Sequence, residues 1–301
     1  MERTSTWENI GTSIINANNV DSVLEQAGLD YQVSTEKIFT SINNRAFEVP
    51  NKMATIREDG HIYGVVSDNY QVIQNKEAFD FVNYLTDEVT FKKAGETSNG
   101  MVYIISSLPD VNILGDSFTP YVIFRNSFNG LYSVSAAICP LRIVCQNQFN
   151  IAFKDANNTV NIKHSSKAND KLIEARHVLA ASADYMKALD KEAEKFANIR
   201  IDANQMNKIV DELFPIKEDM NDRQKNNIEL ARSLFAKAHN CEDNQNFKNT
   251  LWGVINAYSD YVSHKPILRN TAKAEESRFI SVSFDPRIIN KLLSITSSIA
   301  A

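Results

Sequence analysis

Residues 89–107 read VTFKKAGETSNGMVYIISS. Two β-favouring runs, Val89–Glu96 and Met101–Ser107, flank the pair Asn99-Gly100. An Asn-Gly pair supplies two residues at positive φ, which a type I′ turn needs, and that turn matches the twist of a hairpin. The same signal occurs at Asp59-Gly60, between Met53–Glu58 and His61–Ser67. It occurs again at Asn129-Gly130, between Tyr121–Phe128 and Leu131–Ile138. No such pair follows residue 165, where helical periodicity takes over. The expected fold is α+β: an N-terminal antiparallel sheet built from consecutive hairpins with a packed helix, then a C-terminal helical region.

Around the hairpins, Lys76–Thr86 reads as the packed helix, with Asn75 as its cap and Phe79, Val82 and Leu85 on one face. Residues 1–50 read as irregular, apart from a short helix at Asp21–Ala27, capped by Asp21 and closed by Gly28, and a strand at Leu29–Val33. Leu141–Phe153 fits a strand or a short helix equally well.

The second half opens with one long heptad-patterned helix. Leu172, Ala175, Leu179, Ser182, Met186, Leu189, Ala193 and Phe196 alternate spacings of three and four. This seam packs either on later helices of the same chain or on a second copy. In the latter case Leu172, Leu179, Met186, Leu189 and Phe196 make the oligomer contact. Asp202 with Gln205 forms a capping box, and Pro215 stops the helix that follows it. Further helical stripes run through Asn226–His239 and Phe247–Ser263, and Asp285-Pro286 opens a last helix. The boundary falls at Asp155–Ser166, giving a sheet domain over 1–160 and a helical domain over 161–301.

The chain has 301 residues, 43% hydrophobic and 23% charged, and a formal net charge of −5. Residues 1–160 hold 11 Lys+Arg against 18 Asp+Glu, and residues 161–301 hold 21 against 19. That balance argues against a non-specific nucleic-acid coat but leaves room for a local basic groove. The absence of an N-terminal apolar stretch and of any run near 20 apolar residues predicts no signal peptide and no membrane span. Cys139, Cys145 and Cys241 form no CxxC pair, which suits a reducing cytoplasm.

Catalytic motifs are sparse. Cys145 could pair with His164 or His177 as thiolate and base, but it lies in an apolar run typical of a buried cysteine. The five histidines show no metal-ligand spacing, and no glycine-rich phosphate loop occurs. The reading therefore assigns no catalytic residue, metal or cofactor. It points away from an enzyme without excluding one. The densest basic segment runs through Lys163, Lys167, Lys171 and Arg176 at a helix start, a place suited to phosphates. Arg125 and Arg142 are the sheet-side candidates. Sheet aromatics such as Tyr103, Phe124 and Phe128 could stack on bases or fill a core.

Arg142-Ile143-Val144-Cys145-Gln146-Asn147, followed by Asn161-Ile162-Lys163-His164, resembles an uncharacterised phage/plasmid-like protein family of phages, prophages and plasmids. Trp7 with Gly11, the run Gly64–Tyr70, and Trp252–Ala257 with Tyr258, Tyr261 and His264 extend that resemblance over roughly residues 7–265. It implies a mobile-element setting in the cytoplasm of a bacterial host. The order of hairpin, helix and further strands is also similar to single-strand annealing recombination proteins. That likeness implies single-stranded DNA as partner, binding or annealing as activity, and self-association. The competing expectation is a factor that grips a host protein through its acidic face, as a DNA mimic or counter-defence protein.

Overall fold

The structure is a computed structural model that describes residues 5–152, 156–162, 168–266 and 271–300. In chain order the elements are β1 (Thr12–Ser13), α1 (Val20–Ala27), β2 (Val33–Ile42), β3 (Arg45–Arg57), β4 (Ile62–Ser67), α2 (Asn75–Phe79), β5 (Thr90–Glu96), β6 (Met101–Ser107), β7 (Val111–Ile113), β8 (Asp116–Ser127), β9 (Ser135–Arg142), β10 (Asn147–Gln148) and β11 (Thr159–Asn161). Helices α3 (Ala168–Asn198), α4 (Ala203–Leu213), α5 (Asp222–His239), α6 (Leu251–His264), α7 (Ala272–Phe284) and α8 (Arg287–Ala300) follow. The α+β architecture read from the hairpins is the one observed.

The larger sheet has the order β1-β5-β6-β8-β9-β10, with β7 paired to β8 and β11 to β9. Every residue of β6 and of β9 is buried. Side chains alternate between the two faces, so a wholly buried strand must be covered on both. On one face Val102, Ile104, Val122 and Phe124 join α1, α2 and the Ala175–Val178 turn of α3. On the other, Met101, Tyr103, Ile105 and Ile123 meet Trp7, Ile10 and Phe279 of α7. A third cluster joins Phe118, Ile138 and Phe149 to Tyr185 and Leu189 of α3, Trp252 and Ile255 of α6, and Leu292 of α8. The sheet aromatics Tyr103, Phe124 and Phe128 are accordingly core.

The long helix α3 has 31 residues and spans about 46 Å at the usual rise. Its heptad seam is spent inside the chain. Met186, Leu189 and Phe196 are buried in the core shared with α4–α6, and Leu172 and Leu179 are half-buried nearer its start.

Several local readings are corrected. Residues 5–50 are not irregular. β2 and β3 form a long ribbon joined by Asn43-Asn44, at φ 51° and 61°. Asparagine tolerates the left-handed region, so a tight turn forms without the glycine that marks the others. The expected helix at Lys76–Thr86 is α2 followed by a 3₁₀ turn at Asp80–Leu85. Asn75 does not cap it; its buried amide donates to Leu29 O and accepts from Asn126 Nδ2. α1 is capped by Asn19 rather than Asp21. The Leu141–Phe153 run, described as far as Ala152, holds the end of β9, a tight turn and β10. α7 lies where no helix was read.

Gly253, in the first turn of α6, packs directly on the end of the preceding 3₁₀ turn. A Cβ there would collide with the Phe247 carbonyl, which is backbone and cannot swing aside. Gly253→Ala is therefore expected to cost about 3 kcal/mol despite its better helix propensity. Urea unfolding checks this, and an unchanged midpoint would contradict the packing described.

Candidate nucleic-acid interface

The cations picked out by the sequence have different fates. Lys163 and Lys167 lie outside the described residues. Lys171 donates to Asp80 at 2.5 Å, a hydrogen bond that raises its pKa. Arg176 is exposed on α3 and makes no ion pair among the described residues. Arg125 is half-buried between the rings of Tyr132 and Phe284, and its Nε donates to Ser135 Oγ. Burial lowers its pKa.

Arg142, expected to reach phosphate from the sheet, is instead 2% exposed. β9 ends at this residue, and the chain turns through Ile143–Gln146 with Gln146 at φ 55°. Gln146 N–H donates to Arg142 O, and Asn147 pairs back with Arg142. The turn thus aims Arg142, Cys145 and Asn147 inward and leaves Val144 exposed. The guanidinium is bound to Asp116 Oδ2 at 2.6 Å and to Asp243 O at 2.7 Å. These contacts leave it no route to an external anion.

The same hairpin locks onto the helices. Gln148 N–H donates to Ser263 Oγ, Ser259 Oγ donates to Gln148 O, and Gln148 Nε2 donates to Ser283 Oγ. Thr6 donates to Gln148 Oε1, which ties in the N-terminal segment. Cys145 donates its S–H to Asn147 Oδ1. Burial pushes its pKa up to about 11, so at neutral pH it is a protonated thiol rather than a nucleophile. His177 is exposed on α3 and His164 lies outside the described residues, so neither is placed beside it as a base. His264 Nδ1 meets Asp260 Oδ1 at 2.7 Å on α6. Among the described residues no three His, Cys, Asp or Glu side chains sit together as metal ligands. This polar cluster is a clamp between sheet and helices.

Exposed chemistry is concentrated instead on the ribbon. Residues 39–48 are all exposed, including Phe39 at 58%, Ile42 at 58% and Phe47 at 49%. Thr40 pairs with Phe47 and Ile42 with Arg45, so these four side chains share one face. Residues 33–57 carry four basic side chains against two acidic ones. The rest of residues 1–160 carries seven against sixteen. Arg57 is fixed at the base, forked onto Asp59 and stacked over Tyr31. Lys37 pairs with Glu48 in the open, a contact of little energetic weight. Arg45 and Lys52 make no ion pair among the described residues. The ribbon therefore offers cations, an exposed aromatic face and two solvent-facing sides on an acidic body. Residues Phe39, Arg45, Phe47 and Lys52 escape the sequence reading because the 39–52 stretch of the ribbon buries neither face. The legible signal was the β-rich flanks of Asn43-Asn44.

A family model described as a domain of unknown function (DUF932) matches residues 62–282. The chain belongs to this family. No curated protein and no solved structure matches it. The DUF932 match begins at β4 and ends within α7, so it takes in the Arg142 hairpin and the helices it clamps. The ribbon strands β2 and β3 precede the matched stretch. No helix among the described residues is long and apolar enough to cross a membrane.

The clamp predicts thiol reactivity. In native protein at pH 8 a thiol reagent should modify Cys241 first, since Cys139 and Cys145 are buried with raised pKa values. All three should react in denaturant. Rapid native labelling of Cys145, read by peptide mass, would contradict the burial.

Proposed function

We propose that this protein is a non-enzymatic DNA-transaction protein of a mobile element, acting in a bacterial cytoplasm and holding single-stranded DNA along the β2–β3 ribbon. The observation that carries this reading is the charge contrast within residues 1–160: a basic, aromatic-bearing ribbon on a sheet half that is otherwise acidic. Phosphates need cations and stacked bases need exposed rings, and the ribbon offers both within a few residues. Arg45 and Phe47 lie on one face, with Lys52 further down β3. Exposed Arg176 is a second phosphate contact from the original basic segment. The acidic body discourages non-specific wrapping and confines the strand to the ribbon. Resemblance to phage and plasmid proteins and to annealing proteins supplies the setting, with annealing as one form of the activity.

A second reading rests on the acidic remainder of residues 1–160, whose sixteen carboxylates against seven cations would suit a basic host protein. The two separate cleanly by titration with an oligonucleotide. A labelled single strand should bind at low salt and be released as salt rises, since each phosphate contact releases counterions. Phe47→Ala should weaken binding about tenfold, in keeping with about 1–3 kcal/mol per stacked base. Joint Arg45→Glu and Lys52→Glu replacement should abolish it at moderate salt while leaving thermal unfolding unchanged, because both side chains are exposed. No shift at low salt would reject the DNA reading in favour of the protein partner.

A further inference from the structure

We propose that two copies of this chain pair antiparallel along the outer edge of β2, centred on Ile38, so that their three-stranded sheets merge into one. This inference does not depend on the DNA reading.

The smaller sheet has the order β2-β3-β4, so β2 is an edge strand of ten residues. Long exposed edges present unpaired backbone groups and are normally blunted by proline, bulges, shortness or charged side chains. β2 has none of the first three, and its one lysine, Lys37, pairs with Glu48 of β3. The irregularity of the ribbon lies on β3, where Val49–Lys52, including Pro50 and left-handed Asn51, face the single residue Ile38.

The structure also shows which groups face out. At the base of β2, Gln74 Oε1 accepts from Val33 N–H at 3.1 Å and Gln74 Nε2 donates to Val33 O at 2.8 Å. The Gln74 amide thus occupies the outer edge at Val33 as a neighbouring strand would. Backbone direction alternates along a strand. The outward N–H and C=O groups beyond Val33 therefore belong to Thr35, Lys37, Phe39 and Ser41. Ile42 and Arg45, which flank the two-residue turn, form an inward pair of the same parity.

A two-fold pairing must match these outward residues with one another. With the axis at Ile38, Thr35 meets Ser41 of the second copy and Lys37 meets its Phe39, each twice. Every outward group is then satisfied. An axis at Lys37 would oppose two lysines, and it would set Ser41 against Val33, whose groups Gln74 already holds. An axis at Phe39 would strand Thr35. The favoured register also places a lysine against an exposed phenylalanine and a threonine against a serine, both favourable cross-strand pairs. An interface in which one patch complements itself is the requirement for a two-fold dimer.

Light scattering over low- to high-micromolar concentrations should give a dimer mass. Lys37→Pro removes one outward N–H and leaves the β3 ladder intact, since edge strands tolerate proline there. It should weaken self-association about tenfold or more, which is about 1.4 kcal/mol. A second test works even if that variant misfolds. In a Cys241→Ser background, Ile38→Cys should form a disulfide-linked dimer on mild oxidation, because facing residues of a non-hydrogen-bonded pair lie about 4.5 Å apart at Cα. Thr40→Cys, on the same face but off the axis, should not. A monomer mass at all concentrations, or equal cross-linking at both positions, would overturn the proposal.

Discussion

Burial of the large sheet on both faces is the constraint on which the rest depends. β6 and β9 carry no solvent-facing residue. Helices α1–α3 and α6 seal one side, and α7 and the N-terminal segment seal the other. A sheet sealed in this way cannot also be a binding platform. Its aromatics supply the apolar area that offsets chain entropy. Binding chemistry is thereby displaced to the parts that the core does not consume, the ribbon above all.

Two-sided burial raises a second demand, since helices must be held in register on a sheet. Apolar packing is non-directional and fixes this weakly. The Arg142 hairpin does so with directional bonds. Its guanidinium bridges Asp116 on β8 and the Asp243 carbonyl before α6, and Gln148 reaches α6, α7 and the N-terminal segment. A buried charge unpaired in this setting would be costly, so the cluster specifies one arrangement of sheet and helices. That explains why Arg142, which reads in the chain as a phosphate contact, is held inside the fold by Asp116 and the Asp243 carbonyl.

The legible features were those with local causes. Asx-Gly pairs place the hairpins across Asp59-Gly60 and Asn99-Gly100, though only the glycine of each takes positive φ rather than both residues of a type I′ turn, and the Asp202/Gln205 capping box opens α4 as read. The ribbon was illegible because both its strands face water, which erases the period-2 pattern, and because its turn is Asn-Asn. The fate of Arg142 was illegible for a different reason. Nothing near residue 142 announces that Asp116 and Asp243 lie beside it, 26 and 101 residues away. Burial of a charge is a long-range property, and composition around the residue does not encode it.

The account comes down to a division of labour between a sealed body and an exposed ribbon. Backbone hydrogen exchange, compared with and without a single-stranded oligonucleotide, tests this most directly. The account predicts slow exchange in β6 and β9 in either state, with protection on binding confined to the β2–β3 ribbon and the turn of α3 around exposed Arg176. Fast exchange in β6 and β9, or protection that spreads over the large sheet and spares the ribbon, would contradict it.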